Sequence, residues 1–410
     1  MSSVCAHRTI VNCTCAECNQ KFDPKDVFYI DPMYPNFGVT KEVAQKVNSD
    51  LDKWLMSNKK LNLVIDLDKT LIDTAVMEKE RADTFISNSG DVVDEFLHFT
   101  LNEPFLVKIR PHIKEFLEAI SPHFRMQVYT LAKTEYATKI LEYIDPESKY
   151  FHNRIYSRVH PTDPVFRKSI HHLFPYSTRF VLVLDDTEDV WRNEDGRLFS
   201  GLIQIEPYMY FPTQHSPKLD EQNSEATLLA MKDILLKIHS EFYQDFDPES
   251  SHVLTVVDDV KRCVFDECHF LFMGCWKDNA AAEMHKIVKK AEQFGACVYF
   301  AFAPFITHII VGPTFNEELL LQAKEYSGIH IVNVLWFFKS CFSISRLDEN
   351  LFPMADFPTT TNGKLSMTEP PDGKSISDID LDPSDSSSML DDPDWLKLID
   401  QIPDSSSDEE

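Results

Sequence analysis

Two aspartates stand one residue apart in the run Asp66-Leu67-Asp68-Lys69-Thr70, and a second pair, Asp185-Asp186, follows far along the chain. Each pair closes an apolar run, LNLVI before the first and FVLVL before the second. Neighbouring carboxylates repel one another unless a proton or a cation intervenes. A carboxylate nucleophile, a second carboxylic acid, a hydroxyl, a lysine and a magnesium ion are the parts that phosphoryl transfer requires. Thr130, at the end of a third apolar run, MQVYT, adds the hydroxyl. Acidic residues after strands also serve as helix caps, so the first pair alone does not decide the chemistry. The convergence of three strand ends does.

The elements that must position these groups read as an alternation. Leu61 to Asp66 reads as a strand buried on both faces of a parallel sheet. Arg110 to Ser121 is an amphipathic helix with Ile113, Phe116, Leu117 and Ile120 in phase. A strand is expected at Met126 to Thr130, a helix at Tyr136 to Ile144, a short helix around Ser169 to Phe174 and a strand at Phe180 to Leu184. Such alternation predicts an α/β parallel sheet, whose strand carboxyl ends face the ligand crevice. No large cap insertion is recognisable. The stretch from Pro212 to Val253 reads as a helical linker. A second, smaller α/β unit follows. It has strands at His269 to Met273, Cys297 to Phe300, His308 to Val311 and Ile329 to Val332. Its helices are Ala281 to Phe294, stopped by Gly295, then Glu317 to Tyr326, and last one carrying Trp336. The expected division is a Cys/His-containing segment 1–45, a catalytic domain 46–214, a helical linker 215–258, the second domain 259–352 and a tail 353–410.

The chain has 410 residues and a formal charge of −26. From Leu351 onward there are fifteen Asp and Glu against three Lys, so these sixty residues carry −12 against −14 for the preceding 350, and the acidity is concentrated in the tail. That balance disfavours direct nucleic-acid binding, which needs cations against phosphates. No long uncharged apolar run or secretory leader is seen, which points to no membrane and a cytosolic or nuclear location. Beyond Pro353 the composition is that of a disordered segment, with Trp395, Leu396, Leu398 and Ile399 as an apolar cluster among acids. Four of nine cysteines lie in the first eighteen residues. Cys5, His7, Cys15 and Cys18 have the spacing CxHx7CxxC, which could build a zinc knuckle. Free thiols, with Cys13 as a competing ligand, are the other reading.

The segments VIDLDKTLIDT, FLVKIRPHIKEFL, VYTLAKTEYATKILEYID, NRIYSR, RKSIHHLFP and VLVLDDTEDVW, in that order, resemble the phosphatases of the RNA polymerase II C-terminal domain, within the haloacid-dehalogenase superfamily. The resemblance spans roughly Leu61 to Pro212 and implies a Rossmannoid sheet. It implies that Asp66 attacks phosphorus to form an aspartyl-phosphate and that Asp68 first protonates the leaving serine oxygen and then activates water. Magnesium would be held by Asp66, the backbone carbonyl of Asp68, and Asp186. By the same matching Thr130 bonds the phosphoryl oxygens, Lys168 neutralises them, and Asp185 orients Lys168 or the metal's waters. Arg110 would either contact phosphate or form a helix-start salt bridge. Lys69 stands where the family usually has Gln or Glu, and is expected to point away from the metal.

From Cys263 to Phe352 the segments HFLFMG, AEQFGACV, THIIVG and IHIVNVLWFFKSC look like a BRCT domain. Many such modules hold phosphoserine with a Ser or Thr before a glycine, but here Met273 precedes Gly274, and methionine has no proton to donate. A docking role follows from that. The order of phosphatase then BRCT resembles the type that interacts with transcription factor IIF. It implies a magnesium-dependent protein-serine/threonine phosphatase acting on the polymerase repeat domain in the nucleus, with transcription factor IIF as a partner of the acidic tail. A phosphatase of small metabolites and an inactive scaffold are the competing classes.

Overall fold

Five consecutive buried side chains, Leu61 to Ile65, leave no face for water, so this run has to lie between two packed layers. The computed structural model describes residues 5, 7–29, 37–152, 154–158, 167–192, 196–211, 227–275, 281–312 and 328–353. Two units are present, the first running to Lys261 and taking in Phe342–Ile344 as well, the second beginning at Arg262.

The first unit opens with short strands β1 (Ile10–Val11), β2 (Thr14–Cys15), β3 (Val27–Tyr29) and β4 (Phe37–Thr40), antiparallel in the order β2-β1-β4-β3. Helix α1 (Lys41–Asn58) leads to β5 (Leu61–Ile65). Next come β6 (Ile72–Val76), α2 (Lys79–Ser89), β7 (Phe96–Thr100) and β8 (Pro104–Ile109), the strands forming an antiparallel sheet in the order β6-β8-β7. This sheet is an insertion that the sequence reading did not recognise. It closes over its own core of Ala82, Phe96, Leu106, Tyr208, Tyr210 and Phe211.

The chain continues through α3 (Ile113–Ile120), β9 (Phe124–Lys133), α4 (Thr134–Ile144), β10 (Ile155–Arg158), α5 (Ile170–Leu173), β11 (Val181–Asp185) and β12 (Leu202–Gln204). The parallel sheet has the order β10-β9-β5-β11-β12, with β5 in the middle. Side chains of β5 alternate between two cores: Leu61, Leu63 and Ile65 enter one, Val64 the other, as the two-residue period of a strand demands. The strand order reverses at β5, which is where an open α/β sheet leaves a crevice.

Two element boundaries differ from the sequence expectation for visible reasons. The helix read from Arg110 starts at Ile113, because His112 has a left-handed backbone (φ 64°) that no helix can include. The strand read as Met126 to Thr130 runs from Phe124 to Lys133, because its first half pairs with β5 and its second half with β10. The stretch read as a linker contains α6 (Thr227–Gln244), followed by α7 (Val253–Arg262). Leu228, Met231, Leu235 and Ile238 of α6, with Val253 and Val257 of α7, join the same core as β5.

In the second unit, β13 (His269–Met273), β14 (Cys297–Tyr299), β15 (His308–Val311) and β16 (His330–Asn333) form a parallel sheet in the order β14-β13-β15-β16, with helices α8 (Ala281–Gln293) and α9 (Val334–Phe342). Trp336 is fully buried, 5.3 Å from the Phe265 ring, and its indole donates to the Leu347 carbonyl at 2.9 Å. Gly295 stops α8 with φ 98°, and a Cβ there would sit 2.0 Å from the Arg262 carbonyl oxygen, so glycine is obligatory on two counts. The helix expected at Glu317 to Tyr326 and the acidic tail lie outside the described residues.

Candidate active site

The carboxyl ends of β5 and β11 lie side by side, and the Asp66 amide continues their ladder by donating to the Leu184 carbonyl at 3.0 Å. The chain then turns sharply: the Leu67 carbonyl accepts from the amides of Thr70, Leu71 and Ile72, and Lys69 takes a left-handed backbone (φ 58°). The Lys69 carbonyl accepts from the Tyr208 amide at 2.6 Å, which ties this turn to the chain after β12. The turn therefore sets the two aspartates apart in partner as well as in position.

Asp66 is buried, and its Oδ1 accepts from Lys168 Nζ at 2.5 Å. The same ammonium donates to Asp185 Oδ2 at 2.6 Å. Although no strand carries Lys168, its amide donates to the Val190 carbonyl at 2.8 Å, and the rings of Trp191 and Tyr129 lie 5.5 and 5.9 Å from its ammonium. Asp185 is held from three directions, since Trp191 Nε1 also donates to Oδ2 at 2.8 Å and the Thr187 amide to Oδ1 at 2.8 Å.

Asp186 accepts from the Thr187 hydroxyl at 3.0 Å and from the Thr70 hydroxyl at 3.4 Å. Its amide donates back to Thr70 Oγ1 at 3.2 Å, so the threonine of the first motif is a bracket between two strand ends. Asp68 is half-buried and faces different company: its Oδ1 accepts from the Tyr136 phenol at 2.6 Å, and that phenol lies 2.7 Å from the Thr74 hydroxyl of β6. Thr130 is buried in β9, where its hydroxyl accepts from the Ala132 amide at 3.0 Å. Arg110, 1% exposed, donates to the carbonyls of Thr70 (2.9 Å) and Glu206 (2.8 Å) rather than to a helix-start carboxylate. Burial pushes its guanidinium pKa down to about 10.

Three carboxylates, those of Asp66, Asp185 and Asp186, offer oxygens that all lie within 4.8 Å of one another. One lysine neutralises only part of that charge. Burial, followed by repulsion from Asp185, raises Asp186 to about 7. Burial also raises Asp66 well above the carboxylate range, with Lys168 opposing and Asp185, Asp186 and Asp68 reinforcing. Lys168 loses charge stability by burial but gains more from Asp185 and Asp66, so its pKa moves up. Buried hard oxygen donors with an excess of negative charge suit a divalent cation such as magnesium. The set fits the metal that the sequence suggests.

Residues 61–242 match the NLI interacting factor-like phosphatase family. Among curated proteins, a C-terminal domain phosphatase of RNA polymerase II from Caenorhabditis elegans is 27% identical over 398 residues, an alignment that takes in 88% of this chain and 58% of the relative. The RNA polymerase II C-terminal domain phosphatase-like 4 of Arabidopsis thaliana is 26% identical over 362 residues, 81% of this chain and 80% of that one. A solved structure of Fcp1, described as an essential RNA polymerase II CTD phosphatase, superposes with a TM-score of 0.63 at 25% identity, covering 75% of this chain and 99% of the other. The haloacid-dehalogenase-like α/β fold expected from the sequence agrees with this likeness. The chain spans 58% of the length of the worm relative.

Tyr136, Trp191 and Thr187 have no role in the sequence expectation, and Thr70 enters it only as part of the first aspartate motif. Thr70 closes the first aspartate motif itself and Thr187 directly follows Asp186, so position alone could have found both. Tyr136 and Trp191 carry no such signal, because an aromatic residue on a helix or in a turn reads equally well as packing.

Proposed function

We propose that this protein is a magnesium-dependent phosphatase that removes phosphate from serines in the repeated C-terminal domain of RNA polymerase II. The observation that carries the chemistry is the buried Asp66–Lys168–Asp185 array beside Asp186, at the reversal point of a parallel sheet. The named relatives carry the substrate class.

In this reading Asp66 attacks the phosphorus of a phosphoserine, the bond to the serine oxygen breaks, and Asp68 delivers a proton to that oxygen. Asp68, now a carboxylate, takes a proton from water as the water attacks the aspartyl-phosphate, which frees inorganic phosphate and restores Asp66. Tyr136 holds Asp68 in orientation for both transfers. Lys168 balances phosphoryl charge, and Asp185, whose oxygens are already engaged by Lys168, Trp191 and Thr187, positions that lysine. Thr130 donates its hydroxyl hydrogen to a phosphoryl oxygen. Magnesium held by Asp66, the Asp68 carbonyl and Asp186 would neutralise charge on the phosphoryl group.

The second unit, with its BRCT-like segments, serves as a docking platform for the polymerase tail. Met273 supplies no hydroxyl for a phosphate pocket of its own. The acidic tail offers its apolar cluster to transcription factor IIF, and the protein works in the nucleus, where that substrate is found.

The test compares a phosphorylated YSPTSPS-repeat peptide with sugar phosphates, each with magnesium or with excess EDTA. Hydrolysis of the peptide alone, abolished by EDTA and restored by magnesium, is expected. Preference for sugar phosphates would overturn the substrate class, and full activity in EDTA would overturn the metal.

A further inference from the structure

Among the described residues, the amino-terminal sheet buries only a small core of its own around strands β1 to β3. Its core is Ile10, Cys15 and Val27, with Cys5, Cys13 and Phe22 packed partly against them. Strands of two to four residues with so few buried side chains do not form a stable sheet unaided. Something else closes the module.

Its backbone is shaped around four side chains. Strands β1 and β2 pair as a tight hairpin, Val11 opposite Thr14 and Ile10 opposite Cys15, with Asn12 and Cys13 both left-handed (φ 49° and 58°). That double positive φ is the signature of a two-residue hairpin turn, and it carries Cys15 back beside the segment of Cys5 and His7. A second turn, in which the Asn19 amide donates to the Cys15 carbonyl at 3.0 Å, folds Cys18 onto the same spot. The Glu17 amide points at Cys15 Sγ, 3.4 Å away.

The result is a closed set. Cys5 Sγ lies 3.7 Å from Cys15 Sγ, Cys18 Sγ lies 3.4 Å from His7 Nδ1, and all four ligand atoms fall within 4.8 Å of one another. A sulfur pair 3.7 Å apart is not a disulfide, whose bond is about 2.05 Å. Around a tetrahedral zinc ion, bonds of about 2.3 Å to sulfur and roughly 2.0–2.1 Å to nitrogen set neighbouring ligand atoms roughly 3.4–3.8 Å apart. Both measured separations fall in that interval. Cys13 is not a member of the set.

We propose that Cys5, His7, Cys15 and Cys18 bind one zinc ion, and that this ion, in place of an apolar core, locks the β2-β1-β4-β3 sheet. Four protein ligands leave no open position, so the site is structural rather than catalytic. The sheet in turn braces the phosphatase unit: β4 runs directly into α1, the Phe28 ring lies 5.5 Å from Tyr176, and Asp52 of α1 accepts from the Ser177 hydroxyl at 2.7 Å. Tyr176 and Ser177 follow α5, on the segment that begins with Lys168. The inference does not depend on the phosphatase reading.

The full chain, purified reduced and without added metal, should contain about one equivalent of zinc. Exchange for cobalt(II) should give the intense visible bands of tetrahedral coordination and a sulfur-to-cobalt charge-transfer band, which an all-oxygen site cannot produce. Cys15→Ser and Cys18→Ser should lose the zinc, whereas Cys13→Ser should keep it. Stripping zinc should expose the first forty residues to limited proteolysis while the core around β5 stays resistant. The proposal is overturned if fresh protein lacks zinc, if cobalt shows no thiolate band, or if zinc content survives in Cys15→Ser and Cys18→Ser. Should those two variants fail to fold, the cobalt spectrum of the unaltered chain and the Cys13→Ser zinc content decide alone.

Discussion

The phenol of Tyr136 donates to Asp68 at 2.6 Å and meets the Thr74 hydroxyl at 2.7 Å, so the second aspartate of the motif is bonded to helix α4 and, through it, to the inserted sheet. Burial raises the Asp68 pKa, and the Tyr136 hydrogen bond works against that rise by favouring the carboxylate. The proposed cycle, in which Asp68 first gives and then takes a proton, calls for this balance.

Tyr136→Phe removes the opposing donor. The Asp68 pKa should then move further up, and the limb of the pH–rate profile that reports it should shift to higher pH. A hydrogen bond to a charged group is worth about 1.5–3 kcal/mol, so kcat on a phosphoserine peptide should fall by roughly one to two orders of magnitude. Thr74→Val, one bond further away, should move the limb less. An unshifted limb in Tyr136→Phe would assign that titration to another group.

Lys168 and Asp185 form a buried ion pair whose side chains are 4% and 1% exposed. Lys168→Ala strips the counter-charge from Asp66, Asp185 and Asp186, and breaking a buried pair from one side typically costs about 3–5 kcal/mol. Urea unfolding should show that loss. Asp185→Asn keeps an oxygen for Trp191 or Thr187 and leaves Lys168 paired with Asp66, so it should lose less stability than Lys168→Ala. Its kcat should nevertheless drop about a hundredfold or more as Lys168 loses its bearing on the phosphoryl group, with KM little changed. Magnesium titration calorimetry separates the two roles open to Asp185: affinity retained in Asp185→Asn means positioning, and affinity lost means metal ligation.

Much of this site was legible because LNLVI and VLVL are runs that no surface element would tolerate, which places Asp66, Asp185 and Asp186 at strand ends. Thr130 was read as a strand end, but β9 runs on to Lys133 and holds it within the strand. The inserted sheet was hidden because its strands carry buried charges: Asp73 accepts from the amides of Tyr210 and Phe211, and Lys108 is 2% exposed beside Asp91 and Glu95. Those residues break the apolar alternation from which strands are read. The partners of Asp73 lie far along the chain, and no local pattern announces them. The amino-terminal strands, at two to four residues, are too short for any periodicity.

In the second unit, His308 is 1% exposed, stacked on Trp336 at 4.9 Å, with Nδ1 2.8 Å from the Thr307 hydroxyl and Nε2 3.3 Å from both Glu349 and Arg346. Burial pushes its pKa down to about 4, Glu349 opposing and Arg346 and His330 assisting. The folded value lies below the unfolded value of about 6.5, so the native state binds fewer protons. Stability is therefore full above the unfolded pKa and is lost as pH falls from there toward 4. The loss should approach on the order of 3 kcal/mol. Urea unfolding at several pH values, for the parent and for His308→Gln, isolates this slope from the first unit's carboxylates, whose raised pKa values tilt stability the other way. Parallel pH curves for the two proteins would refute the assignment.

The two aspartates of the first motif should separate by the leaving group. With Asp66 as the proposed nucleophile, Asp66→Asn should form no aspartyl-phosphate and no product from any substrate. With Asp68 as the proposed proton donor, its loss in Asp68→Asn should matter most when the departing group is a serine alkoxide. p-Nitrophenyl phosphate leaves as a stabilised phenolate and needs little protonation, so its first step should survive in Asp68→Asn. The second step still requires a base for water, and the covalent intermediate should accumulate. Rapid-quench kinetics under saturating magnesium should therefore show a burst of p-nitrophenol from Asp68→Asn and none from Asp66→Asn. The geometry gives the reason for the difference: Asp66 lies on Lys168, which steadies a phosphoryl group, whereas Asp68 lies on Tyr136, which steadies a proton position. A burst from Asp66→Asn would reverse the roles, and steady turnover in both variants would mean that neither residue is the nucleophile.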